Sequence, residues 1–246
     1  MASTRAVRGI LAFDGLRLAR DRFVVSVSLY IIAMTIALRW ILPWLTRELD
    51  ARLGFDFTPY VPLLASHFLI QLSGQVGGII LGFLLLESRE DRTIRAMLVT
   101  PIPMQRYLAI LGLVVMAATV PLALLEGVII QWGLPPWPGF TLAAIVGAPG
   151  AFIFGLLVAT LASDKTQAFA YMKILGLLPA AASAAWFVDE PWQWLFAVYP
   201  PYCASKIYWL SEAGQPGGLP YAVLGLVGSL VWIAVLARLF LRVARR

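Results

Sequence analysis

The 246-residue chain is 61% hydrophobic and only 13% charged, with a formal net charge of +6. Soluble domains carry about 45–50% apolar and roughly 25% charged residues, so this much apolar surface cannot hide in one core, and lipid must be the solvent. A single cysteine, Cys203, and a single histidine, His67, exclude an internal disulfide and leave too few Cys/His ligands for a closed zinc site, which needs about four.

Residues 1–22 carry Arg5, Arg8, Arg17, Arg20 and Arg22 without a long apolar run, so they do not read as a secretory signal. The apolar run that follows is expected to be an uncleaved first span, residues 23–45, interrupted only by Arg39. A crossing helix needs about 20 mostly apolar residues. The second is expected within Phe57–Leu86 and the third over Pro103–Gln131. The motif Gly133-Leu134-Pro135-Pro136-Trp137-Pro138-Gly139 breaks the next uncharged stretch, since proline removes a helical donor and clashes with the preceding turn. The fourth span is therefore expected at 140–162, the fifth at 167–187 and the sixth at 220–241. The segment 188–219, with Asp189-Glu190-Pro191-Trp192-Gln193-Trp194 and Tyr199-Pro200-Pro201-Tyr202, reads as a loop too apolar for a simple linker. The chain is thus expected to be an all-α membrane protein with one transmembrane domain over residues 1–246.

Six spans place both termini on one side. That side carries 14 basic residues, from the N-terminal arginines through Arg89, Arg92, Arg95, Arg106 and Lys165 to Arg238, Arg242, Arg245 and Arg246; the other loops carry Arg47, Arg52 and Lys206. The excess of basic residues on the cytoplasmic side predicts cytoplasmic termini. It also accounts for the positive charge without nucleic acid. Eight tryptophans (Trp40, Trp44, Trp132, Trp137, Trp186, Trp192, Trp194, Trp209) fall near the outer ends, where an indole is half buried with its N–H wet.

Small residues recur every four positions in three spans: Ala143, Gly147, Ala151, Gly155, Ala159, Ser163 in the fourth, Gly74, Gly78, Gly82 in the second, and Gly176, Ala180, Ala184 in the fifth. Such spacing lets helix backbones approach closely in lipid. Packing within the bundle explains it more simply than a subunit interface.

The most informative stretch joins spans two and three: Glu87-Ser88-Arg89-Glu90-Asp91-Arg92-Thr93-Ile94-Arg95-Ala96-Met97-Leu98-Val99-Thr100-Pro101-Ile102-Pro103. Mixed charges open it, Ile94, Met97 and Leu98 fall at helical spacing, and the prolines end it. The pattern fits a short amphipathic surface helix or a solvated loop equally well. The stretch resembles the signature region of type-2 ATP-binding-cassette (ABC) permeases. Glu87, Arg89, Glu90, Thr93-Ile94, Met97-Leu98, Thr100-Pro101-Ile102 and Tyr107 match; Arg92 stands where glycine is common in that family. The layout of the whole chain is similar too, including that of drug-export permeases of the fluoroquinolone type.

The resemblance implies that residues 87–103 form a cytoplasmic coupling helix, in which Glu87, Arg89, Glu90, Arg92, Thr93, Ile94, Met97, Leu98, Thr100 and Pro101 dock on an ATPase subunit. It implies an amphipathic interfacial helix within residues 1–22, where Val7, Leu11 and Leu18 share a face that Asp14 interrupts. It implies short re-entrant helices within 188–219, a segment that an ordinary interfacial loop explains almost as well. No G-x-x-x-x-G-K-[ST] phosphate loop occurs, so ATP and Mg are expected on a separate ATPase, with no cofactor bound by this chain and no enzymatic activity of its own. The implied partners are that ATPase, a second permease as homodimer or heterodimer, membrane lipid and an amphipathic or lipophilic small-molecule substrate, in the cell membrane.

Charges inside spans are costly and suggest function. Arg39 and Glu126 lie at similar depth near the outer ends of spans one and three; they are expected either to pair, in one subunit or across a dimer, or to reach the outer interface separately. Lys173 is expected to snorkel. His67, Gln71 and Gln75 share a face of span two, where they line a substrate path or, more simply, make interhelical contacts. An ion-coupled secondary transporter and a non-catalytic assembly protein are the alternative readings, with the buried carboxylate too near an edge to favour the first.

Overall fold

The computed structural model describes residues 22–90 and 103–244. These residues form helices and no strand. Six helical stretches are long and apolar enough to cross a membrane: Val25–Leu53, Thr58–Glu90, Met104–Ile130, Trp137–Leu161, Lys165–Phe187 and Gly218–Ala244. The chain is a multi-pass membrane protein. The implied interfacial helix at 1–22 lies, except for Arg22, outside the described residues.

The first span is α1 (Arg22–Leu53). It extends well beyond residue 45, because apolarity marks only the part in lipid. The extension is held by an ion pair one turn apart, Glu48 with Arg52, and by Arg47 Nε donating to the Pro43 carbonyl at 3.2 Å. Gly54, at φ +60°, then ends the helix in the left-handed conformation that glycine adopts without penalty.

The second span contains α2 (Val61–Ser66), a π-helical segment His67–Leu72, and α3 (Ser73–Glu90). The third is α4 (Met104–Ile130), which ends at Gln131 in the left-handed region. The fourth splits into α5 (Trp137–Gly147) and α6 (Pro149–Leu161). Pro149 causes the break at Ala148, having no N–H and a ring that crowds the previous turn. The fifth is α7 (Lys165–Leu175) and α8 (Leu177–Ala184), interrupted at Gly176. Asp164 caps α7 by accepting the Gln167 N–H at 2.8 Å. After it come α9 (Pro201–Glu212) and the sixth span, α10 (Gly218–Ala244).

Spans two and four form the buried centre, and spans one and six are largely peripheral. Their contact is built by the small-residue stripes. A Cβ at Gly78 would stand 2.7 Å from the Ala151 carbonyl oxygen and 2.7 Å from Phe154 Cβ; one at Gly155 would stand 2.7 Å from Leu81. The stripes therefore face each other within one chain, where backbone proximity replaces a hydrophobic drive.

The segment 188–219 is not an open loop. Its helix α9 is buried from Pro201 through Trp209 and packs against α2, α5 and α10. Trp209 does not join the interfacial belt: its indole donates to Ser66 Oγ at 2.8 Å inside the bundle. Trp40, Trp44, Trp137, Trp192 and Trp194 are exposed, as an interfacial belt requires.

A polar latch holds this cap. Lys206 Nζ donates to Glu190 Oε1 and to Gln193 Oε1, both at 2.7 Å, and lies 5.8 Å from the Tyr221 ring centre. The hydrogen bond and charge of Lys206 hold the Glu190 carboxyl below its ordinary range. A carboxyl depressed in the folded state stabilises above its unfolded pKa, about 4.3, and the contribution fades as pH falls through the lower folded value. The Glu190 contribution to melting temperature is therefore expected to be flat from neutral pH to about 5 and to fall on stronger acidification. In Lys206→Met the melting temperature should be lower, and the part of the acid dependence due to Glu190 should vanish. Identical acid curves for the two proteins would argue against the latch.

Candidate functional site

Two groups of polar residues are placed by this bundle, one at each end of the second span. The first is the start of the segment between spans two and three. Glu87, Arg89 and Glu90 form the last turn of α3, and Pro103 leads into α4. Arg92, Thr93, Ile94, Met97, Leu98, Thr100 and Pro101 lie outside the described residues.

Arg89 turns inward. Its Nη1 donates to the Ala159 carbonyl at 3.0 Å and the Ala162 carbonyl at 3.1 Å. The last carbonyls of a helix lack intrahelical partners, and a cation there also meets the negative end of the helix dipole. Arg89 therefore caps span four. Glu87 faces Lys165, at the head of span five, with 3.7 Å between their charged atoms. Glu90 is exposed. The base of the segment is thus tied to spans four and five while Glu90 stays available on the surface.

The second group lies toward the other end. Arg39 and Glu126 do not pair within the chain. Arg39 Nη1 donates to the Ile129 carbonyl at 2.7 Å, and Glu126 Oε2 lies 2.6 Å from Ser73 Oγ. The physical reason matches that for Arg89: Ile129 lies in the last turn of α4, whose orphan carbonyls compete for the guanidinium. Equal depth along two helices leaves azimuth unspecified, and here the two side chains reach different partners.

His67, Gln71 and Gln75 each meet a neighbouring element. His67 Nδ1 is 2.9 Å from Ser183 Oγ in span five. Gln71 Nε2 donates to the Pro201 carbonyl at 2.8 Å and to Ser205 Oγ at 2.9 Å, both in α9. Gln75 Nε2 lies beside Gly176, at the break in span five. The cavity between Gln71, Gln75, Gly147 and Gly150 measures about 10 Å³, room for roughly one water. In this conformation the three residues knit span two to span five and to the cap. Periodicity did not show that His67–Leu72 is π-helical. Such turns are rare and concentrate at functional sites.

Two larger clefts are apolar. One, of about 290 Å³, lies between spans four, five and six and the cap, lined by Ile153, Leu178, Phe196, Tyr199 and Trp232. The other, of about 300 Å³, lies between spans one, two and three, where Ser28 and Thr119 are the hydroxyl-bearing residues among Val76, Ile80, Val115 and Leu122. Both are at the lower end of the size range of small-molecule sites.

Residues 14–237 match the family model described as "Fluoroquinolones export permease protein Rv2686c-like". The chain belongs to this permease family. Its relatives include the fluoroquinolones export permease proteins MT2760 and Rv2686c, from Mycobacterium tuberculosis strains CDC 1551 / Oshkosh and ATCC 25618 / H37Rv. Each is 31% identical over 226 residues, covering 90% of this chain and 88% of the relative. A match of this extent includes the first five spans, most of the sixth, the cap and the segment after Glu87. The polar groups above are features of a member of this permease family.

Proposed function

We propose that this permease is the membrane subunit of an ABC exporter that moves an amphipathic or lipophilic small molecule, with fluoroquinolones the first class to test. The observation that carries the reading is membership of an export-permease family across the whole bundle. ATP and Mg are bound and hydrolysed on a separate ATPase, and a second permease, identical or similar, completes the unit. The substrate route runs along the permease interface, and the apolar clefts suit a lipophilic passenger. The termini and residues 87–103 face the cell interior across the cell membrane.

In this reading residues 87–103 take force from the ATPase. The ties at their base direct it: Arg89 and Glu87 connect the end of span two to spans four and five, and the glycine contact makes spans two and four move together. The test is drug accumulation in a sensitive host expressing the permease together with a candidate ATP-binding-cassette ATPase from the same source. Accumulation of a fluoroquinolone should fall severalfold, and an ATPase variant unable to hydrolyse ATP should abolish the effect. Export that persists without the ATPase would favour the ion-coupled alternative, and no export with either would remove the proposal.

A further inference from the structure

Glu126 is fully buried, and its Oε1 has no hydrogen-bond partner. Its other oxygen lies 2.6 Å from Ser73 Oγ, which itself lies 2.8 Å from the Leu69 carbonyl. A serine hydroxyl has one hydrogen. Both contacts are at hydrogen-bond distance, and both outer atoms are acceptors if the carboxyl is ionised. One contact would then be bare oxygen–oxygen repulsion. Both are satisfied when Glu126 Oε2 carries a proton and donates it to Ser73 Oγ, while Ser73 donates to the Leu69 carbonyl. That carbonyl belongs to the π-helical segment, and the Ser73 N–H is turned to the Ile70 carbonyl instead.

The surroundings agree. Span four, packed against α4, carries no ionisable side chain along Trp137–Leu161. In span two His67 is engaged by Ser183, and in span one Arg39 is engaged by the Ile129 carbonyl, one turn from Glu126. A buried carboxylate without a cation would be severely disfavoured.

We infer that Glu126, with Ser73 and the Leu69 carbonyl, is an intramembrane proton-binding site whose proton is exchanged for Arg39. In the arrangement seen, the proton is on Glu126 and Arg39 caps α4. In the other, Glu126 has released its proton to water and Arg39 has left the Ile129 carbonyl for the carboxylate. The Glu126–Ser73 hydrogen bond loses its proton in that step, so the Ser73 hydroxyl turns from the Leu69 carbonyl to the carboxylate; the pair's net charge falls from +1 to 0. The site gives the outer half of the bundle two discrete arrangements, which can bias a transport cycle.

The test uses the purified full-length chain in lipid nanodiscs and needs no ATPase. The infrared difference between wild type and Glu126→Gln at neutral pH should contain a protonated-carboxyl C=O band lost in the variant. Ser73→Ala should keep that band and shift it to the higher frequency of an acid without an acceptor. Arg39→Gln should move the pH at which the band disappears upward by about one unit, a tenfold change in proton affinity. An absent band, or a band that Ser73→Ala leaves unmoved, would overturn the proton site. Superimposable titrations of wild type and Arg39→Gln would overturn the exchange.

Discussion

Replacing Gly78 with alanine is expected to destabilise the bundle by about 1–3 kcal/mol, as overpacking does, while the same change at Gly74 should be neutral or slightly stabilising. The two positions lie one turn apart on the same face of α3. At Gly78 a new methyl would meet the Ala151 carbonyl oxygen and Phe154 Cβ at 2.7 Å, and backbone of a neighbouring span cannot rotate away. At Gly74 the nearest atom is the Gly147 carbonyl oxygen at 3.7 Å, an ordinary contact. Alanine at that position also gains up to about 1 kcal/mol of helix propensity. Gly82→Ala, with Val158 side-chain atoms at 3.0 and 3.1 Å, should fall between them. Thermal unfolding of the detergent-solubilised protein measures the order. Equal melting temperatures for Gly74→Ala and Gly78→Ala would show that the span two–span four contact is not as close as described.

Arg89→Ala should also lower stability, by about 1.5–3 kcal/mol, the usual scale for hydrogen bonds to a charged group. Two carbonyls at the end of span four, Ala159 and Ala162, lose their donor. Glu90→Ala, on the exposed side of the same turn, should leave stability unchanged. Arg89→Lys should recover only part of the loss, because a point-like ammonium does not reproduce the planar guanidinium's donor geometry. The comparison separates two roles that adjacent charges in the sequence conceal. Lost transport in Glu90→Ala with an unchanged melting temperature would support the proposed docking on an ATPase. Lost transport in Arg89→Ala reports first on the bundle. Arg89→Ala melting like wild type would contradict the capping role.

Much of the bundle was legible in the sequence because lipid leaves a one-dimensional record. Six apolar runs became six spans. Glycine spacing announced a close helix contact, and the structure puts Gly78 on Ala151 within one chain. What the sequence did not show depended on three dimensions. Helix α9 is too short to span and carries Lys206, so its residues alone leave an interfacial loop and short re-entrant helices both open; its buried neighbours and the Glu190 latch make it core. The π-helical turn at His67–Leu72 has no periodic signature of its own. Arg39 and Glu126 were matched for depth, yet helix-end carbonyls, invisible in a list of side chains, hold Arg39. Arg89 shows the same effect: the sequence places it in a charged surface segment, and the fold adds bonds from its guanidinium to the carbonyls that end span four.

The central claim is that residues 87–103 receive force from a separate ATPase, and disulfide or bifunctional cross-linking addresses it most directly. Cys203 is buried in α9 and is replaced by alanine to clear the background. Met97→Cys is then introduced in the full-length permease and paired with single cysteines around the groove of the co-expressed ATPase. A cross-link between the two chains whose yield changes with ATP is expected, and no labelling of that cysteine by a membrane-impermeant thiol reagent added outside intact cells. Labelling from outside, or no cross-link to an ATPase that co-purifies with the permease, would contradict it.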